Sequence, residues 1–303
     1  PSREYIISFL GVASCMDLYV NGSFVGYSEG AHNTAEFDIS SYMTAGENEL
    51  VVVVHRWCNG TYLECQDMFR NNGIFRDVLL RIGNKNDVWD LDLKTEKKAD
   101  AGDGEKAVYS AVVSVEFPEE GEASVTICGH GIDQTVQVSS EDHIAKAVFE
   151  DLSVLEWTAE TPYLYDLYVE TENECIKTRI GFKKITIDGR LFLWNGKKVK
   201  FHGVNHHDTS CTNGYTMTPE EIERDIRTCK EFNMDTVRTS HYPPDPYLLE
   251  MCDEMGIYVV DETDLETHGV FIHKLPPSYN RISHDPAWEG HYVDRVKRLY
   301  QRD

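Results

Sequence analysis

Phe201-His202-Gly203-Val204-Asn205-His206-His207-Asp208 is followed by Val237-Arg238-Thr239-Ser240-His241-Tyr242-Pro243, then by Tyr258-Val259-Val260-Asp261-Glu262-Thr263-Asp264-Leu265-Glu266-Thr267-His268-Gly269. Each is a short apolar run that closes on a polar cluster. Between the first two, Thr218 is placed to cap a helix, Pro219 suits its first position, and Glu221 completes a capping box. Ile222, Ile226 and Cys229 then share one face. The next helix opens at Asp245-Pro246, carries Leu248, Leu249, Cys252 and Met255, and ends at a left-handed Gly256. A third is predicted from Asp285-Pro286, with Trp288, Tyr292, Val296 and Leu299 on its buried side. Strand, helix, strand, helix, strand, long loop, helix makes three βα units of a parallel barrel. The active face of such a barrel lies where strands run out toward helices. His207, His241, Glu262, Glu266 and His268 would converge there.

Working back toward the N-terminus, the pattern is all β. Val12 to Val25 reads as two strands around Asn21-Gly22, the strongest short hairpin signal. Glu36-Phe37-Asp38-Ile39 is a further strand. Glu49 to Trp57, rich in valine, reads as a buried one, and Gly73 to Ile82 closes the series. Many short strands with turns predict a β-sandwich. Asn84 to Asp87 is a polar joint. A second strand set runs from Val88 to Ile187, with Tyr109, Ala111, Val113, Val115 and Phe117 alternating toward a core. Lys97 to Lys106 reads as a charged, mobile hairpin tip. Leu191 to Phe201 forms a small hairpin around Asn195-Gly196. The expected divisions are 1–84, 85–185 and 186–303.

The 303 residues carry a formal net charge of −23, which argues against nucleic acid as a partner. No run reaches membrane-spanning length. Eight cysteines lack metal-like or framework spacing. Most, including Cys128, Cys229 and Cys252, lie in apolar patterns and read as buried free thiols of a reducing cytoplasm.

On residue type alone, His207 and His241 read first as capping or turn residues at strand ends, and Asp67 as a loop aspartate. Glu266 and His268 are a weak metal pattern, since a zinc site wants three protein ligands. Asp261 and Glu262, adjacent in an extended segment, point to opposite faces and cannot flank one bond. Glu262 reads as part of the pocket wall.

The run from Asn233 to Val260, with Arg238 to Pro243, Asp253 and Gly256 in order, resembles the signature of glycoside hydrolase family 2. Gln66-Asp67-Met68-Phe69-Arg70-Asn71-Asn72-Gly73-Ile74-Phe75-Arg76-Asp77-Val78 narrows the resemblance to its β-galactosidase branch. It implies a jelly-roll β-sandwich, an immunoglobulin-like β-sandwich serving as a spacer, and the first part of a TIM barrel. It further implies that Asp67, His207 and His241 contact galactose, with a sodium ion near Asp67. Arg238 would be a buried arginine orienting the nucleophilic glutamate, and Glu266 and His268 would be two of three magnesium ligands. His206 stands where the family more often has arginine or lysine. Cys65 and Phe69 replace its common aspartate and tryptophan.

Retaining hydrolysis of a glycoside needs two carboxyl groups about 5 Å apart. In the resembling enzymes both lie on later barrel strands, the first within an Asn-Glu pair. Asn48-Glu49 and Asn173-Glu174 are the pairs in this sequence, and both precede the barrel. Both catalytic glutamates are therefore expected beyond Asp303. The chain opens on proline inside a β pattern, and the expectation is a piece of a β-galactosidase, inert by itself. The alternatives are one part of a split enzyme or a galactose-binding module. Unpaired sheet edges further predict a homo-oligomer or association with the missing remainder.

Overall fold

The computed structural model describes residues 3–100, 106–271 and 282–303. Asn21 and Gly22 take the positive φ values, 50° and 77°, that a tight hairpin requires. They join Cys15–Val20 to Ser23–Glu29, and Leu50–His55 pairs on the other side of the first strand. The facing sheet runs Ala35–Asp38, Arg3–Phe9, Val78–Asn84. Ile7, Phe9, Met16, Leu18 and Val20 fill the space between them. The valine-rich strand is not buried as expected. Val52 and Val54 turn to the core, but Leu50, Val51 and Val53 are 40–44% exposed. Successive side chains of a strand face opposite ways, and this one lies at a sheet edge. Its valines report strand propensity rather than burial.

The second strand set packs a three-stranded sheet on a four-stranded one. Tyr109, Ala111, Val113, Val115 and Phe117 are buried between them, as their alternation predicts. The supposed charged tip is partly strand, because Lys97 to Asp100 continue the ladder to Ala107. The remainder of that tip, 101–105, lies outside the described residues. Among the cysteines Cys229 and Cys252 are buried, while Cys128 is only half-buried.

This sandwich is built into the base of the barrel. Trp157 packs with Trp194 and Tyr258, and its indole donates to the Asp253 carbonyl at 2.9 Å. Three parallel strands follow in order: Gly203–His206, Thr236–Thr239 and Tyr258–Val260. The helix Pro219–Glu231 opens on the full Thr218–Glu221 capping box and buries Ile222, Ile226 and Cys229. The helix Pro246–Met255 is capped by Asp245 and ends at Gly256, φ 74°. A Cβ at Gly256 would stand 2.3 Å from the Ala159 carbonyl oxygen, so a side chain is excluded on both grounds.

The last helix departs from expectation. Pro286–Trp288 is a single 3-10 turn, and Glu289–Arg302 is the helix. Its buried residue is Arg295, at 0%, while Val296 is 51% exposed. The face turned inward meets Glu29 and Glu64 of the first sandwich rather than apolar surface. A helical turn at Gly60–Leu63 and the strand Glu266–Thr267 were not foreseen. The latter pairs in parallel with Glu64–Cys65 and sews the barrel segment to the first sandwich.

Candidate active site

The first two barrel strands deliver His207 and His241 side by side, with ring centroids 5.9 Å apart and planes nearly perpendicular. The His207 Nδ1 lies 3.3 Å from the Tyr242 hydroxyl. Burial, together with the neighbouring His241 and His206, holds His207 below the usual imidazole range. The neutral ring that results can donate and accept at once. His241 Nδ1 lies 2.8 Å from Glu262 Oε2.

Arg238 corrects one expectation. Its side chain is 39% exposed rather than buried, and it forms an ion pair with Glu262. Its guanidinium also lies 3.2 Å from His241 Nδ1. The arginine therefore has a carboxylate within this chain, because the third strand carries Glu262 into its reach. Asp261 turns elsewhere and accepts from the Thr239 hydroxyl at 2.9 Å. Burial and the nearby Asp303 push its carboxyl up to about 7. Asp261 and Glu262 thus take different partners, yet both border one cleft, so the expected separation onto opposite faces is not met: the strand ends at Val260, before the pair. Arg238, His241, Asp261, Glu262 and Glu266 line an open cleft of about 520 Å³.

Asp67 is exposed on the loop that follows Glu64–Cys65, and its charge acts on His207. Its neighbour Gln66 is 4% exposed. The Gln66 amide donates to the His241 carbonyl at 2.9 Å and to Asp264 Oδ1 at 2.7 Å. One side chain thus fastens the loop bearing Asp67 to the end of the second barrel strand. Glu266 and His268 lie together, with Oε1 to Nδ1 at 3.0 Å. Among the described residues Glu266 Oε2 is buried with no hydrogen-bond partner, and no cluster of three His, Cys, Asp or Glu could hold a metal.

Sequence reasoning missed the buried polar seam beneath this wall. Asp264, at 0% exposure, also accepts from the His32 backbone at 3.0 Å and faces His32 Nδ1 at 2.9 Å. Burial lifts its carboxyl, but His32 and Arg295 outweigh that and hold it below the ordinary range. His32 stacks on Tyr242 at 3.9 Å. Arg76 donates to Asp208 and to the Pro243 carbonyl, both at 2.9 Å. Burial, with the Asp264 charge, pushes Glu64 up to about 8 against the pull of Arg295. Asp264 and Arg76 were in the quoted motifs, but their partners lie more than a hundred residues away in the chain.

Three sequence models tile the chain. They are "Glycosyl hydrolases family 2, sugar binding domain" over 2–82, "Glycosyl hydrolases family 2" over 85–183, and "Glycosyl hydrolases family 2, TIM barrel domain" over 185–303. The chain belongs to glycosyl hydrolase family 2. Curated relatives of this family 2 chain include β-galactosidases of Actinobacillus pleuropneumoniae and Streptococcus thermophilus. The first is 40% identical over 88% of the chain and 26% of the relative. The second is 36% identical over 99% of the chain and 30% of the relative. The chain thus spans under a third of the length of the curated relatives it matches. Among solved structures, a Bifidobacterium dentium β-glucuronidase superposes with a TM-score of 0.81 at 21% identity, covering 100% of this chain and 55% of that one. A Bacteroides uniformis β-glucuronidase gives 0.77 at 23% identity, covering 99% and 37%. At such identities these two report the fold of the family 2 chain, a multidomain β plus partial α/β barrel. No helix of the described residues is long and apolar enough to cross a membrane.

Proposed function

We propose that this chain forms the substrate-side wall of a retaining β-galactosidase acting on terminal β-D-galactosides such as lactose. The observation that carries the reading is the Gln66 bridge, which brings the Asp67 loop onto His241. On this reading Asp67, His207 and His241 receive the hydroxyls of the galactose ring. Arg238 and Glu262 fix the His241 ring from behind. A neutral sugar suits the cleft better than a uronate, because Asp261, Glu262 and Glu266 face it against one arginine. The acid/base and nucleophilic glutamates belong to the remainder of the enzyme.

Glu266 and His268 would supply two of a magnesium ion's ligands, a half-site whose third ligand belongs to the remainder of the enzyme. A buried carboxylate oxygen lacking a partner suits a hard cation that keeps several waters. When bound, such an ion would supply positive charge at the cleft. A sodium ion near Asp67 is part of the same reading. Ligand-observed NMR with methyl β-D-galactoside tests the wall: a weak signal lowered by Asp67→Ala and by His241→Ala is expected. A signal untouched by both, or stronger for methyl β-D-glucuronide, would contradict it.

A further inference from the structure

The segment Glu64–Met68 divides its side chains. Asp67 belongs to the site just described, whereas Glu64, Gln66 and Met68 line a separate cavity of about 210 Å³. The barrel segment behaves likewise. Thr263 and Leu265 line the open cleft, and Asp264 between them lines the cavity. The two spaces share no lining residue. Both segments bend here, at Asp67 and Met68 and at Asp264, and their side chains divide between the two spaces, the front cleft and the rear cavity.

The rear cavity is built like a sugar site. Trp57 and Phe69 stand at it, 64% and 56% exposed, offering flat apolar rings that the fold does not use internally. The Arg56 guanidinium lies 5.2 Å over the Trp57 ring and stiffens it. Arg70, Asn71 and Asn72 add planar polar groups around the same space. At its floor Gln66 and His32 are each 4% exposed, and Gln66 Oε1 and His32 Nε2 are buried without partners among the described residues. The cavity, about 210 Å³, opens to solvent beside Trp57 and Phe69 and has room for a sugar ring.

We infer that this rear cavity is a second carbohydrate site, taking a single neutral hexopyranose with one face on Trp57 and Phe69 and its hydroxyls toward the amides and guanidinium groups. The choice of a sugar rests on the proposed galactosidase reading; the position of the site does not. Aromatic rings give apolar area with fixed geometry, and a few polar groups set orientation, which is the usual composition of a small-ligand pocket. A ligand there would lie against Gln66, which fastens the Asp67 loop to His241 and to the buried Asp264, so occupancy would steady the front wall from behind.

The test uses the whole chain labelled with 5-fluorotryptophan and titrated with D-galactose. Trp57→Phe identifies the Trp57 fluorine resonance. The expected result is a saturable shift of that resonance at millimolar galactose, weakened about tenfold by Phe69→Ala and retained in Asp67→Ala. A resonance that stays still overturns the rear site. So does a shift that Asp67→Ala abolishes, because the sugar would then be in the front cleft. Loss of front-site binding with the Trp57 shift intact would instead count against the galactosidase reading alone.

Discussion

Arg295 shows how much one side chain can hold. It is fully buried, pairs with Glu64 at 2.5 Å, and reaches its neighbours from another part of the chain. It also faces Glu29 and helps hold the buried Asp264 carboxyl down, so removing it leaves buried acidic groups without their countercharge, which costs about 3–5 kcal/mol. Arg295→Ala is therefore expected to lower unfolding free energy by about that much. Val296→Ala, one residue on but exposed, should change it by less than about 0.5 kcal/mol. Urea denaturation of both variants checks the contrast, and equal effects would refute it. His207 gives a pH signature. Its folded-state value lies below the ordinary 6.5 because of burial and its histidine neighbours. As pH falls, the unfolded chain takes up the proton first, so the folded state loses stability. The contribution is complete above about pH 6.5 and declines as pH drops through the lower folded value. His207→Gln should flatten that decline in denaturation curves taken at stepped pH. Parallel declines would show that His207 is not the group responsible.

Helices whose signals are local were legible. Thr218-Pro219 and Asp245-Pro246 fix their starts through bonds spanning two or three residues, and such chemistry is written in the sequence. The last helix was misread for the opposite reason. Periodicity gives a buried face but not the polarity of what covers it, and here Glu29 and Glu64 come from the far end of the chain. The Leu50–His55 strand failed similarly, since valine content cannot distinguish an edge from a centre. Of the candidate site, the histidines at strand ends were legible. The Gln66–Asp264 bond, 198 residues apart, was not. Two changes at this scale follow. Thr218→Ala should cost about 1 kcal/mol by opening the capping box. Gly256→Ala should cost more, because it adds left-handed strain to a collision with the Ala159 carbonyl. Thermal unfolding of the pair checks the order, and a reversed order would mean that the Ala159 contact yields easily.

Across the whole molecule, apolar surface remains at the sheet margins. Val78, Leu79, Leu80 and Ile82 are 43–52% exposed on an edge strand of one sheet, and Leu50, Val51 and Val53 are similarly exposed on an edge strand of the other. Unpaired edges with apolar side chains associate, so light scattering should find self-association that grows with concentration. A clean monomer throughout would contradict this. The central claim is that the chain holds a galactoside-facing wall without either catalytic carboxylate. Glu262 is engaged by Arg238 and His241, and no Asn-Glu pair follows His241. The most direct measurement is turnover of a chromogenic β-galactoside by the purified 303-residue chain, free of host enzyme, beside an Asp67→Ala control. The account predicts no turnover above that control. Sustained turnover by the chain that Asp67→Ala abolishes would contradict it.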